Sequence, residues 1–592
     1  MRRTPQRGTA STTKRRHPAP LRRFVARPAV HLLAGLVPVL ASLSCSQAAS
    51  GQVAEEPGSR PRLVVLCSID QMASWVFAEA LPHLAEDGGF RRLMREGVRF
   101  THCAYRHACT ETGPGHATIG TGAPAAVHGI VRNAWWSRSD AGLVYCAGGA
   151  AEALPGLGEG RDRNADRLLA ETLSARMRRE IPGTRTASVA WKDRSAILMV
   201  GNHADVAAWF EVTTGNLVTN KNWCAEVPPW IASWNRERVI DSFYGTVWDR
   251  IGPDSAYEGL VDDRPYEVVH QNGSNSHTLP QPLTGGRDDP DVGYWTQLSY
   301  SPFGNEVVGR AVQACVDGMQ LGRDEVPDLL AVGFSATDYI GHYFGPCSVE
   351  ARDALLRLDR QLGQLLAFLD ERVGVGRYAI FVTADHGVTA IPEWNKAHGV
   401  DAGRGLIQTR ARAVAERVIT ERFGKLDAAR RYCTYVGEWA LVFDRAAFER
   451  GDGAEAAAAR HAEACGIAAA AVAEVPGLAA AYATADILDG DNSGDEIRGA
   501  LQAALHPERA GDVQLVVKPH WIDGMLPASH GTPHAYDREV IAFAMGPGIR
   551  AGAVSEESVT PGLGVALLAE LLGIEPPAQL ADAVPAELRS AR

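Results

Sequence analysis

The sequence predicts an α/β protein built on a doubly wound, mostly parallel central sheet with cap insertions. Short apolar runs without polar alternation recur along the chain, as strands buried on both faces require. Helical periodicity lies between some of them, most clearly over 350–373, where Leu355, Leu358, Leu362, Leu365, Leu366 and Leu369 repeat at three-to-four spacing. Strands alternating with helices indicate an open sheet covered on both sides. The chain has 592 residues, 46% hydrophobic and 22% charged, which is ample for a large core.

The expected strands are 63–67, 187–191, 329–334, 378–382, 513–517 and 540–544. Two regions break their rhythm. Residues 202–310 are rich in Trp, Asn, Gly and Pro, and residues 403–510 are Ala-rich with a helical pattern, so both are expected insertions. No internal repeat is present. The acidic run DILDGDNSGDE at 486–496 lacks the spacing of a calcium loop and reads as a surface loop.

The first fifty residues carry nine Lys or Arg, from Arg2 to Arg27, and no acid. An apolar stretch over 28–43 and the small residues SCSQAAS follow. This predicts a signal peptide over 1–48, a linker over 49–61 and one folded domain over 62–592, exported to the periplasm or the extracellular space. The apolar stretch is short and interrupted by Pro38, so no membrane span is expected in the mature chain. Cys45 is a candidate lipid attachment site, although Ser42-Leu43-Ser44 is a poor approach to one. Without the leader, 50 of the 59 Lys and Arg remain against 70 Asp and Glu. An acidic chain with no basic block offers no nucleic-acid-binding face. Ten cysteines leave nine once Cys45 is removed, so internal pairing is incomplete; Cys103 and Cys109 are near enough for a local bridge.

Acidic and His residues follow the apolar runs. Asp70 ends LVVLCSID, Asp338 and His342 lie in LLAVGFSATDYIGH, and Asp385 and His386 end AIFVTADH. His530 stands in SHGTPHAYD. Ligands of open α/β sheets bind beyond the carboxyl ends of the strands. Asp and neutral imidazole are zinc ligands, and this set can fill two sites. Thr112, in TETGPGHATIGTG, opens a helix through a Gly-Pro-Gly turn. Taken alone it fits either an ordinary cap or a hydroxyl placed where backbone N–H groups favour anions. A Thr hydroxyl becomes a useful nucleophile only with a metal or a base. Lys192 and Arg194, in WKDRSAI, read alone as a solvated turn.

Taken jointly, these residues resemble the alkaline phosphatase superfamily. Within it the pattern is most similar to bacterial periplasmic alkaline phosphatases with a threonine nucleophile and a Lys-x-Arg pair, relatives of the nucleotide pyrophosphatase/phosphodiesterases. The blocks SIDQM, TGPGHATIGTGAPAAVHGIVRN, WKDRSAI, SATDYIGH, TADHG and SHGTPHAYD carry the resemblance from Asp70 to Asp537. It implies an alkaline phosphatase-like catalytic domain with two Zn²⁺ per chain. One ion is held by Asp338, His342 and His530; the other by Asp70, Asp385 and His386, completed by Thr112. It further implies that Asn133 donates to a phosphoryl oxygen and that Lys192 and Arg194 mark the monoesterase branch. The expected activity is hydrolysis of small phosphate monoesters through a phosphothreonine at Thr112. With both ions, the three aspartates, the cationic pair and a Thr112 alkoxide, the net charge suits a monoester dianion rather than a diester monoanion. The alternative on the same scaffold is a phosphodiesterase or nucleotide pyrophosphatase. A sulfatase is disfavoured by the surroundings of Cys109, which lack C-x-P-x-R. His116 and His534 are assigned no chemical role.

Overall fold

The computed structural model describes residues 60–157, 160–268, 276–427, 429–580 and 582–589. The expected signal peptide, Cys45 and the linker up to residue 59 lie outside the described residues.

Nine strands make the central sheet: β1 (Leu63–Ile69), β2 (Val98–Cys103), β3 (Thr186–Ala190), β4 (Val206–Glu211), β5 (Asn216–Val218), β6 (Asp328–Phe334), β7 (Tyr378–Thr383), β8 (Ala542–Met545) and β9 (Ala553–Val559). Their order is β9-β2-β8-β7-β1-β6-β3-β4-β5. Only β8 and β5 run against their neighbours; every other pairing is parallel. Every residue of β1, β6 and β7 is buried, which explains why these strands read as unbroken apolar runs. The two faces are covered by different helices. On one face Phe381 lies against the Leu563–Leu571 helix, where a Cβ at Gly564 would stand 2.6 Å from its ring. On the other, Phe543, paired with the adjacent Val382, packs edge-on to Phe77 at 5.5 Å. The helix expected over 350–373 is Val349–Arg372.

A second, four-stranded sheet joins Cys433–Gly437, Ala440–Phe443, Val513–Val517 and Leu478–Ala483. The helices Ile407–Phe423 and Ala454–Val472 give it an apolar cluster of its own, including Ile419, Phe448, Val472 and Leu515. Val513–Val517, whose apolar run looks like those of the central strands, therefore pairs here instead. A fully buried strand looks the same in any buried sheet, so periodicity identifies the strand but not its partners. Conversely, β4 and β5 fall within 202–310 yet extend the central sheet to its edge.

The nine described cysteines are all free thiols. The local Cys103–Cys109 bridge is not formed: Cys103 ends β2 in the main core, whereas Cys109 packs with Ala125 and Ile487 in a separate cluster. Among the described residues, no helix is long and apolar enough to cross a membrane.

Candidate active site

Thr112 is the first residue of the Thr112–Thr121 helix, and the extended Glu111 occupies the cap position without a side-chain cap bond. The hydroxyl is thus not spent on capping. It lies 3.3 Å from Arg194 Nη2 and 3.4 Å from Lys192 Nζ. Two glycines let this helix come close to its neighbours. A Cβ at Gly115 would stand 2.1 Å from the Asp385 carbonyl, and one at Gly120 would stand 2.5 Å from that of Met199. The helix thereby presses against the end of β7 on one side and against the Asp193–Val200 helix, which carries Arg194, on the other.

The acidic and His residues gather where the sequence places them, beyond the carboxyl ends of β1, β6 and β7. Asp70 follows β1, Asp338 and His342 share the Ala336–Phe344 helix after β6, and Asp385 and His386 follow β7. His530 arrives from a distant loop: its Nε2 lies 3.2 Å from His342 Nε2 and 3.6 Å from Asp338 Oδ1. His386 Nε2 stands 3.5 Å from Asp70 Oδ1 and 3.4 Å from Asp385 Oδ2. Ligand atoms of Asp338, His342 and His530 converge within 4.8 Å of one another, as do those of Asp70, Asp338 and His386.

The imidazoles are set in one consistent way. Nδ1 of His342 faces the Ala528 carbonyl at 2.8 Å, Nδ1 of His530 that of Thr110 at 2.7 Å, and Nδ1 of His386 that of Gly387 at 3.0 Å. A proton held at Nδ1 by a carbonyl leaves Nε2 as the electron-pair donor, which is how metal-ligating histidines are oriented. Asp70 Oδ1, Asp385 Oδ2 and His386 Nε2 are buried with no hydrogen-bond partner. Buried polar atoms are ordinarily paired, so orphaned oxygen and nitrogen donors facing one another fit a cation. Burial, with the adjacent His530, holds the His386 imidazole well below its ordinary range, in the neutral form that a ligand needs. Burial opposes ionisation of Asp338, but the Lys192 ammonium and His342 hold its carboxyl well below the usual range.

The cationic pair sits between the Thr112 hydroxyl and the carboxylates. Lys192 Nζ lies 2.6 Å from Asp70 Oδ2 and 2.6 Å from Asp338 Oδ2, and 5.0 Å above the Tyr339 ring. Arg194 Nη1 donates to Tyr145 Oη at 3.4 Å; that hydroxyl donates to Asp193 at 2.6 Å, and Asp193 also accepts from Arg163 at 2.7 Å. Asn133 Oδ1 accepts from the Gly113 N–H at 2.7 Å, which turns its amide toward the start of the Thr112 helix and leaves Nδ2 as a donor. The structure thus brings Asp70, Thr112, Asn133, Lys192, Arg194, Asp338, His342, Asp385, His386 and His530 into one site.

Two supporting residues went unread in the sequence. Gln71 has a left-handed φ of 64°. Its backbone N–H donates to Asp385 Oδ1 at 3.1 Å and its Nε2 to Asp338 Oδ1 at 2.7 Å. A non-glycine residue in this region stores strain, and such strain concentrates at functional sites. Glu111 accepts from Arg132 at 2.8 Å and from the Asn133 N–H at 2.7 Å, anchoring Asn133 to the residue before Thr112. Gln71 lies inside the SIDQM block and Glu111 directly before Thr112, and adjacency was their only signal. His116 Nδ1 meets the Thr112 carbonyl at 2.8 Å, and His534 Nε2 meets that of Val517 at 2.8 Å. His461, Cys465 and Asp512 also converge within 4.8 Å, but Asp512 is already engaged by Arg138 at 2.7 Å and the Phe443 N–H at 2.7 Å.

A hydroxyl at a helix start, set among Asp and His donors at the carboxyl ends of parallel strands, places the protein in the alkaline phosphatase superfamily. The chain belongs to the type I phosphodiesterase / nucleotide pyrophosphatase family, whose profile matches residues 64–525. Alkaline phosphatase PhoV of Synechococcus elongatus is 28% identical over 510 residues, 84% of this chain and 88% of its own length. Alkaline phosphatase PafA of Elizabethkingia meningoseptica is 28% identical over 508 residues, 83% of this chain and 88% of its own. The crystal structure of wild-type PafA superposes with a TM-score of 0.79 at 24% identity, covering 90% of this chain and 99% of that one. It shares the α/β fold with the large, mostly parallel sheet.

Proposed function

We propose that the protein is an exported, zinc-dependent phosphate monoester hydrolase that acts through a phosphothreonine at Thr112. The observation that carries this reading is the placement of both Arg194 and Lys192 within 3.4 Å of the Thr112 hydroxyl. PhoV and PafA bear the name alkaline phosphatase, which supports the same reading.

Asp338, His342 and His530 would hold one Zn²⁺, and Asp70, Asp385, His386 and Thr112 the other. When bound, two such ions supply Lewis acidity to the nucleophile and the leaving oxygen and lower the pKa of water. The chain's own residues do the rest. Arg194 presents a planar fork to two phosphoryl oxygens. Asn133 Nδ2 donates to a third, fixed by Glu111 through its backbone. Thr112 Oγ gives up its proton and bonds to phosphorus as the ester oxygen leaves and is protonated to the alcohol; water then attacks phosphorus, a proton returns to Thr112 Oγ as the Oγ–P bond breaks, and inorganic phosphate is released. The leader over 1–48 supports export to the periplasm or the extracellular space, and 62–592 is proposed as a single catalytic domain with 403–510 inserted.

Chelation should remove activity, and zinc should restore it to a content of two ions per chain. The ligands must be deprotonated, so zinc affinity should fall as pH is lowered into the His and carboxylate range. Metal analysis and a monoester assay on the same samples test this; full activity with one ion or none would refute it. The family's description favours one second reading, a phosphodiesterase. The rates for a monoester and a diester with a common leaving group separate the two.

A further inference from the structure

Buried carboxylate oxygens without a hydrogen-bond partner concentrate in two places. One is the active site, at Asp70 and Asp385. The other lies where the loop 261–268 meets the start of the Val349–Arg372 helix. There, both oxygens of Glu350, Oε1 of Glu267 and Oδ1 of Asp262 are unpartnered. Glu350 is 0% exposed and Glu267 is 3% exposed. The remaining oxygens of the loop pair are used by backbone: Glu267 Oε2 accepts from the Arg264 N–H at 3.0 Å, and Asp262 Oδ2 from the Leu279 N–H at 3.4 Å.

A wholly buried carboxylate is kept only if paired, protonated or bound to a metal. The carboxylates of Glu267 and Asp262 face Glu350 as like charges, and the Asp262 carboxyl comes within hydrogen-bond reach of it, so this pair needs a shared proton or a cation. Burial and these neighbours push the Glu350 carboxyl up to about 9, and burial raises Glu267 to about 7. Arg264 acts on Glu267 and Arg250 on Asp262, each as a minor influence. The donors are all oxygen, without His or Cys, which selects hard cations over zinc.

We propose that Glu350, Glu267 and Asp262 bind one calcium ion. Calcium accepts a mixed set of monodentate and bidentate carboxylates at irregular spacing, whereas magnesium demands a tight octahedron. These oxygens do not converge within 4.8 Å as the catalytic groups do, so binding draws the 261–268 loop onto the helix. The same loop already touches the helix that carries Asp338 and His342, through the Val268 N–H to the Tyr343 carbonyl at 3.0 Å. The ion therefore braces the segment behind those ligands rather than taking part in the chemistry.

The test uses the zinc-loaded full protein, titrated calorimetrically with Ca²⁺ and with Mg²⁺, alongside thermal melts. Wild type should take up one Ca²⁺ per chain beyond zinc, in the ~10⁻⁴–10⁻³ M range of extracellular sites, and bind Mg²⁺ more weakly. At about ten times that dissociation constant, Tm should rise by roughly 1–3 °C. Glu350→Gln should abolish both effects without loss of zinc. If that variant does not fold, Glu267→Gln serves instead and should weaken Ca²⁺ at least about tenfold. Absence of Ca²⁺ uptake by wild type at about 10 mM, well above the range of such sites, would overturn the proposal. So would an unchanged Ca²⁺ response in Glu350→Gln. A Glu350→Gln protein that is more stable while wild type ignores Ca²⁺ would identify the cluster as protonated carboxyls.

Discussion

Thr112→Ala should reduce turnover of a phosphate monoester by on the order of 10⁴-fold while leaving zinc content near that of the wild type. The hydroxyl is the group that forms the covalent bond in this account, and it accepts from both Arg194 and Lys192, whereas the Tyr145 hydroxyl meets Arg194 and is turned to Asp193. The six Asp and His donors come from other elements and hold their positions through bonds that Thr112 does not make. His342, His386 and His530 are fixed by backbone carbonyls, and Asp338 and Asp385 by Gln71. Loss of zinc together with activity would instead mark Thr112 as chiefly a ligand. Metal analysis beside kcat for the variant separates the two outcomes.

The double variant Lys192→Ala, Arg194→Ala should slow monoester hydrolysis by on the order of a hundredfold or more and diester hydrolysis much less. A monoester dianion has three non-bridging oxygens; a diester carries one charge and replaces one oxygen by an ester group. In the proposed mechanism Asn133 serves one oxygen, and the others need the cationic pair. Hydrogen bonds to charged groups contribute roughly 1.5–3 kcal/mol each, and more where water is excluded. Lys192 has a second task, because its ammonium lies 2.6 Å from both Asp70 and Asp338. Its removal leaves two buried carboxylates less compensated, so the single Arg194→Ala variant is the cleaner probe of dianion recognition. The comparison is kcat/KM for both esters in all three variants. An equal loss on both substrates would show that the pair supports the carboxylates rather than reading the dianion.

Much of the site was legible because its residues sit next to strong local signals. Asp70, Asp338, Asp385 and His386 each follow a wholly buried strand, and burial on both faces leaves an unmistakable apolar run. His530 has no such strand before it and was reached through the motif around it. Gln71 and Glu111 were not legible, because their roles arise only in the folded chain. The Gln71 backbone meets a carboxylate 314 residues away, and nothing in the local sequence announces that contact. The second sheet was hidden for a related reason. Val513–Val517 shows how to recognise a buried strand, while its neighbours are fixed by the path of the 403–510 segment.

The most direct test of the covalent account is the stereochemical course at phosphorus, followed with a monoester made chiral by oxygen isotopes and transferred to an acceptor alcohol. Two successive in-line displacements, first by Thr112 and then by the acceptor, predict net retention. Net inversion would mean a single displacement by the acceptor, and would contradict the phosphothreonine intermediate.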